Sequence, residues 1–301
     1  MHFTNIAIDN CVVTTKMQRG AIDSFENSLP ARPRKKWDSV EQYIEFLRHL
    51  TAYKYAKTFA EGKSVLEIGC GTGYGSNYLK QFVSDITAID VSKKCTNYCH
   101  TKYKKTELNF IQASFLDIPL KDNSVGAAVS FQVIEHIEPE KVRNYLSEIK
   151  RVLENEGVFI VSTPNKKLRL LPFQKPRNPE HKKEYNYMEF KKALSNVFEN
   201  VEVNGLKGSK EIQLIERNRC KQNPFEVYIT RPFYPFGKKL LPDTIFNQLK
   251  VLKKSICRGG KKSSVIQKET FVKFQISDFK VLPYCPKNCL DFYGICKKIE
   301  G

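Results

Sequence analysis

The 301-residue chain is 41% hydrophobic, enough to bury a full core as one domain with additions or as two, and it carries a formal net charge of +18. It shows no charged and then apolar leader and no run of about 18 apolar residues, so neither export nor a membrane span is expected. Nine cysteines, at 11, 70, 95, 99, 220, 257, 285, 289 and 296, then read as reduced thiols in a cytoplasm, and neither Cys95/Cys99 nor Cys285/Cys289/Cys296 has the paired spacing of a structural zinc site.

Residues 1–37 have no sustained period and end in the basic stretch 31–36, which reads as a loose arm or lid. From Asp38 the apolar residues Val40, Tyr43, Ile44, Leu47 and Leu50 recur at helical spacing, with Asp38 and Glu41 as a capping box. A strand over 65–69 follows, then a glycine-crowded turn, a helix over 74–82, a strand over 85–90, a helix over 92–105 and a strand over 108–113. Residues 126–131 make a fourth strand, Pro139 opens a helix to about Glu154, and 157–163 make a fifth strand ending before Pro164. A helix from Met188 to Phe198, a strand over 201–206 and a last strand from Leu290 complete the pattern. Alternating strands and helices imply an α/β fold with a doubly wound, mostly parallel seven-stranded sheet and helices on both faces. The core is expected over 38–206 and 289–301, with a basic insertion over 207–288 before the last strand. That insertion holds 18 Lys or Arg against 6 Asp or Glu.

The glycine turn carries the most chemistry. Gly69, Gly71, Gly73 and Gly75 stand at alternate steps, where the absence of a Cβ lets a ligand lie against main-chain N–H groups. A dinucleotide site needs glycines at i, i+2 and i+5, but the third place holds Tyr74 counted from Gly69 and Ser76 counted from Gly71. No GKS or GKT follows, which excludes a P-loop. Glu67 precedes the first glycine, and Asp90 ends the second strand 23 residues after Glu67, where a carboxylate can accept both ribose hydroxyls. A nucleoside without a pyrophosphate is implied.

Glu67, Gly69, Gly71, Gly73 and Asp90 resemble the first motifs of class I S-adenosylmethionine (SAM) dependent methyltransferases, which implies a Rossmann-like fold and SAM as cofactor. The resemblance implies cofactor contacts from Glu67, Gly69, Cys70, Gly71, Gly73, Tyr74, Asp90, Val91, Ser114, Phe115, Phe131 and Gln132, with no metal required. Two positions depart from the family: Ser114 where an acidic residue often holds the adenine amino group, and Gly126 where the fourth strand usually opens with Asp.

Residues 131–139 resemble the family's segment after strand four, whose first residues line the methionine end of SAM. Glu135 and His136 are candidates for acid and base work on a hydroxyl, or else cap the next helix. After the fifth strand, residues 162–165 and 178–185 bring His181, Glu184 and Tyr185 together, making His181 a rival base. The segment over about 40–208 resembles a bacterial and archaeal branch associated with surface glycans and other sugar-containing metabolites, which implies a small-molecule or glycan acceptor methylated on oxygen rather than nitrogen. An RNA or protein methyltransferase and a non-catalytic SAM-binding scaffold are the alternatives. In the basic segment, the apolar residues from Leu240 to Ile256 alternate with lysines, which fits an anionic membrane surface, RNA, or solvent over a local core.

Overall fold

The computed structural model describes residues 39–222, 224, 273–285 and 287–299. The expected arm over 1–37 and the apolar and basic stretch over 240–262 lie outside the described residues. Helix α1 spans Val40–Ala60, and its N-cap is Ser39, whose Oγ accepts from the Gln42 N–H at 3.3 Å, in place of the expected Asp38. There follow β1 Ser64–Ile68, α2 Tyr74–Leu79, β2 Asp85–Asp90, α3 Lys93–Lys102, β3 Asn109–Gln112 and β4 Val125–Phe131. The helix expected from Pro139 begins as a single tight turn, Pro139–Lys141, and becomes α4 only over Val142–Val152. Next are β5 Leu153–Pro164, the short α5 Lys166–Arg169, and α6 Tyr187–Ser195. Asn186 and Glu189 close a capping box at the start of α6.

The sheet has eight strands rather than seven, in the order β3-β2-β1-β4-β5-β8-β6-β7. Strands β1 to β5 run parallel, and β8, Asp291–Lys297, enters antiparallel between β5 and β6, Asn200–Gly208. The extra strand, β7 Phe279–Leu282, pairs antiparallel with β6 and comes from the segment read as an insertion. That segment also supplies α7, Lys210–Cys220, so part of it builds the core rather than interrupting it.

Period-two alternation divides the apolar side chains between two layers. Ala127, Val129, Phe131, Val158 and Ile160 face α1, together with Ile44, Leu47 and Tyr53. Ala128, Phe159 and Val161 face the opposite way, onto Tyr145, Leu146 and Ile149 of α4 and Phe190 and Leu194 of α6. β4 is buried along its whole length, as the central strand of a doubly wound sheet must be. Among the described residues, no helix is long and apolar enough to cross a membrane.

One charged cluster ties the layers together. Arg48 of α1 is 6% exposed and donates from Nε to Asp291 Oδ2 at 3.0 Å, from Nη2 to Asp291 Oδ1, and from Nη1 to Glu216 Oε2 at 2.7 Å. Arg219 reaches the same Glu216 oxygen at 2.7 Å. A buried guanidinium held bidentately on one carboxylate is strongly oriented, and removing it strands the buried Asp291 and leaves Glu216 to Arg219 alone. Arg48→Met should therefore lower the unfolding free energy by about 3–5 kcal/mol in urea denaturation, with the steepness of the transition unchanged.

Candidate active site

The turn between β1 and α2 divides its glycines by task. A Cβ on Gly75 would stand 1.9 Å from Tyr53 Cζ, one on Gly73 2.8 Å from Phe110 Cζ, and one on Gly69 2.5 Å from Val133 Cγ2. These three let protein pack against the turn. Gly71, at φ +54°, has nothing within 4 Å of its Cβ position, so it alone of the four presents bare backbone to open space. Beside it, the buried Thr72 hydroxyl and the Tyr74 hydroxyl have no hydrogen-bond partner among the described residues.

Asp90 stands at the tip of β2 and accepts from the Gly71 N–H at 3.0 Å and the Ser92 N–H at 2.8 Å, which leaves it further acceptor capacity, and the neighbouring Val91 is exposed. Glu67 lies beneath the turn rather than in it. It is 1% exposed and accepts from the Tyr53 hydroxyl at 2.6 Å and from the Ser76 hydroxyl. Burial pushes its carboxyl up to about 7, against the opposite pull of the two hydroxyl donors. Cys70 is likewise buried, packed with Cys95, Cys99 and Phe110, and the Cys99 thiol donates to the Gly71 carbonyl at 3.3 Å.

After β3, the Ser114 hydroxyl accepts from the Leu116 N–H at 3.1 Å and shapes its own turn, while Phe115 packs edge-on against Tyr145 with ring centroids 5.6 Å apart. Where the family places Asp at the start of β4, Gly126 instead donates its N–H to Ser64 Oγ at 3.0 Å.

The exit of β4 is the most constrained part of the site. Phe131 sets its ring edge-on to Tyr53 at 4.8 Å. Gln132 adopts φ +57°, a left-handed conformation that costs about 1–3 kcal/mol in a residue with a Cβ. It is held by its N–H to the Ser162 carbonyl at 3.1 Å and by its Nε2 to Ser162 Oγ at 3.2 Å. Arg48, Phe131, Gln132, Ser162, Arg169 and Tyr293 line a small cleft here.

Glu135 follows in a one-turn helix, fully buried. Its Oε2 accepts from Thr163 Oγ1 at 3.1 Å, whereas Oε1 has no partner among the described residues, and burial pushes its carboxyl up to about 8. The Glu135 carbonyl accepts from the N–H groups of Lys182 and Lys183 at 2.7 and 3.1 Å, which fastens the 178–185 loop to the end of β4. That attachment places the His136 and His181 rings edge to face, 4.7 Å between centroids. Rivals in the sequence, they stand side by side. Burial, reinforced by His181, lowers the His136 pKa. His181 Nδ1 lies 3.0 Å from Glu184 Oε1, and Arg169 Nε lies 3.3 Å from Glu184 Oε2. Although burial opposes it, these two partners hold the Glu184 carboxyl below its ordinary range. One ligand atom each from Glu135, His136 and His181 falls within 4.8 Å of the other two, a geometry that could hold a metal ion. Sequence reasoning missed Arg48, Arg169 and Asp291, which sit in no motif and reach the site only through the folded contacts; it picked out the 162–165 segment without giving Ser162 or Thr163 a role.

A doubly wound sheet with an open glycine turn after its first strand and a polar cleft at the exit of its fourth is the Rossmann-like fold of SAM-dependent methyltransferases. Residues 66–161 match the model of the methyltransferase domain family. A protein of Mycolicibacterium smegmatis named probable S-adenosylmethionine-dependent methyltransferase is 32% identical over 154 residues, covering 51% of this chain and 58% of its own length. The fatty-acid O-methyltransferase of the same organism is 32% identical over 130 residues, 42% of this chain and 46% of that protein. The chain thus spans little more than half the length of the curated relatives it matches. In solved structures, a SAM-dependent methyltransferase from Thermotoga maritima shares the fold with a TM-score of 0.51 at 14% identity, covering 85% of this chain and 91% of that one. The cyclase SpnF shares it at 0.53 and 14%, over 94% and 93%. SAM is the cofactor that family and fold imply. The turn fits it: open backbone at Gly71, an orphaned Thr72 hydroxyl and a carboxylate at the tip of β2 suit a nucleoside with a cationic, zwitterionic tail and no phosphate.

Gly71→Ala should lower stability by about 1–2 kcal/mol through backbone strain, yet weaken SAM binding more than tenfold in isothermal titration, because its Cβ enters the open space. Glu67 supplies a pH signature. Its folded value near 7 lies above the ordinary carboxylate value, so its contribution is fully present at low pH and is lost as pH rises between about 4.5 and 7. In urea titrations across that window, the stability of the protein relative to Glu67→Gln should fall by roughly 3 kcal/mol.

Proposed function

We propose that the protein transfers the methyl group of SAM in line to an oxygen of a small-molecule or glycan acceptor lodged beneath the loops after β4 and β5. SAM, when bound, supplies an electrophilic methyl on a sulfonium centre. Gly71 and Asp90 would hold the adenosine end, and the strained Gln132 would meet the amino acid tail, with Phe131 and Tyr53 walling that side. The observation that carries the reading is the convergence of Glu135, His136 and His181 at the exit of β4. An alcohol attacks a methyl donor only as its proton leaves, and this cluster is where the site could manage that proton. An acceptor nitrogen, neutral and already nucleophilic, has less need of it.

One relative, the fatty-acid O-methyltransferase above, supports an oxygen acceptor, and a phthiotriol/phenolphthiotriol dimycocerosates methyltransferase of Mycobacterium tuberculosis, 28% identical over 115 residues, supports with it an acceptor of low polarity. The net charge of +18 supports work in the cytoplasm at the edge of an anionic membrane, where a lipid-linked acceptor would be presented. A second reading, a SAM-binding scaffold without turnover, is favoured by Ser114 and Gly126, where the resembling family often carries acids.

Incubation with methyl-labelled SAM and cell extract, sorted into lipid, glycan, RNA and protein, decides between these. Label should enter the lipid or glycan fraction in step with S-adenosylhomocysteine release. Label confined to RNA or protein, or SAM binding with no release, overturns the proposal.

A further inference from the structure

We propose that Glu135, His136 and His181 form a binding site for one divalent transition cation of the zinc and manganese class. This inference rests on the methyltransferase reading for its chemistry, though not for its geometry.

The three residues offer one carboxylate oxygen and two imidazole nitrogens within 4.8 Å of one another. Metal–nitrogen bonds of about 2.0–2.1 Å place tetrahedral ligand atoms about 3.3 Å apart, so small side-chain rotations bring the set to bonding distance. His181 and Glu135 have the settings that metal ligands require. His181 Nδ1 is taken by Glu184 Oε1 at 3.0 Å, and Glu184 is in turn paired with Arg169, which fixes the tautomer and leaves Nε2 free. The His136 ring stands edge to face with that of His181, 4.7 Å between centroids, so both imidazoles reach the same space. Glu135 is fully buried, and its Oε1 lacks any partner among the described residues. A buried carboxylate oxygen without a donor is costly unless something cationic sits against it. A base alone explains neither that orphan oxygen nor two adjacent imidazoles, which would repel each other once either was protonated.

Two histidines and one carboxylate leave coordination positions open, as catalytic sites do and closed structural sites do not. Arg169 joins this cluster to the cleft, since it both pairs with Glu184 and lines the cavity beside Gln132. An acceptor hydroxyl entering an open position would lose its proton to solvent at lower pH. The oxygen lone pair then forms the new O–C bond while the methyl C–S bond breaks. That electron pair stays on sulfur, which becomes a neutral thioether.

The test uses the full chain stripped with a chelator, with Co2+ alone as the optical probe. One equivalent of Co2+ should bind with visible d–d absorption and be displaced by Zn2+. His136→Ala and His181→Ala should each abolish the spectrum, whereas His100→Ala, distant from the cluster, should match wild type. Glu184→Gln keeps all three ligands and should weaken Co2+ 10- to 100-fold, the range for the partner of a liganding histidine. Should the alanine variants melt early, His136→Asn and His181→Asn serve in their place. No saturable uptake, or equal uptake by ligand variants and wild type, overturns the site. Methyl transfer at full rate by the stripped chain would sink the cation's role and leave the methyltransferase reading intact. A bound cation with no SAM turnover would do the reverse.

Discussion

A neighbouring side chain can fill the place where a residue's Cβ would stand only if that residue is glycine, and the rest of this site depends on that freedom. Tyr53 from α1 lies against Gly75, Phe110 from β3 against Gly73, and Val133 from the β4 exit against Gly69. Each contact brings one neighbouring element onto the turn, so the turn's shape is the sum of what presses on it from below. Glu67 completes the arrangement by taking hydroxyl hydrogen bonds from α1 and α2 at once. What is left over is Gly71, the one position with room above it.

The sheet was legible because its strands are short apolar runs closed by turn residues, and because alternation of strand and helix restricts the winding. The eighth strand was not. Phe279–Leu282 is four residues long, lies at the sheet edge and carries a lysine, so no periodicity distinguishes it from the basic segment around it. Helix α1 was legible from its apolar spacing, but Arg48 reads there as an ordinary surface cation; its partner Asp291 lies 243 residues away. Ser39 took the cap expected of Asp38, a shift of one residue that spacing rules cannot resolve.

In the site, the residues of interest were visible as motifs, but their relation was not. His136 and His181 stand 45 residues apart and looked like competitors. Two main-chain hydrogen bonds to the Glu135 carbonyl make them neighbours, and backbone bonds leave no trace in side-chain identity. The resemblance of the glycine turn to a known family carried the nucleoside end further than the acceptor end. A fold shared with both a methyltransferase and a cyclase specifies the cradle and leaves the reaction to what surrounds it.

The ion cluster around Arg48 has a bearing on how the molecule is made. A guanidinium destined for an apolar interior takes its bidentate counter-charge from a residue 243 positions further along, on the strand inserted between β5 and β6. Without that strand, α1 would settle onto the sheet with Glu216 as the one acid answering Arg48. Docking of the first helix and insertion of the strand are thereby coupled through one ion pair.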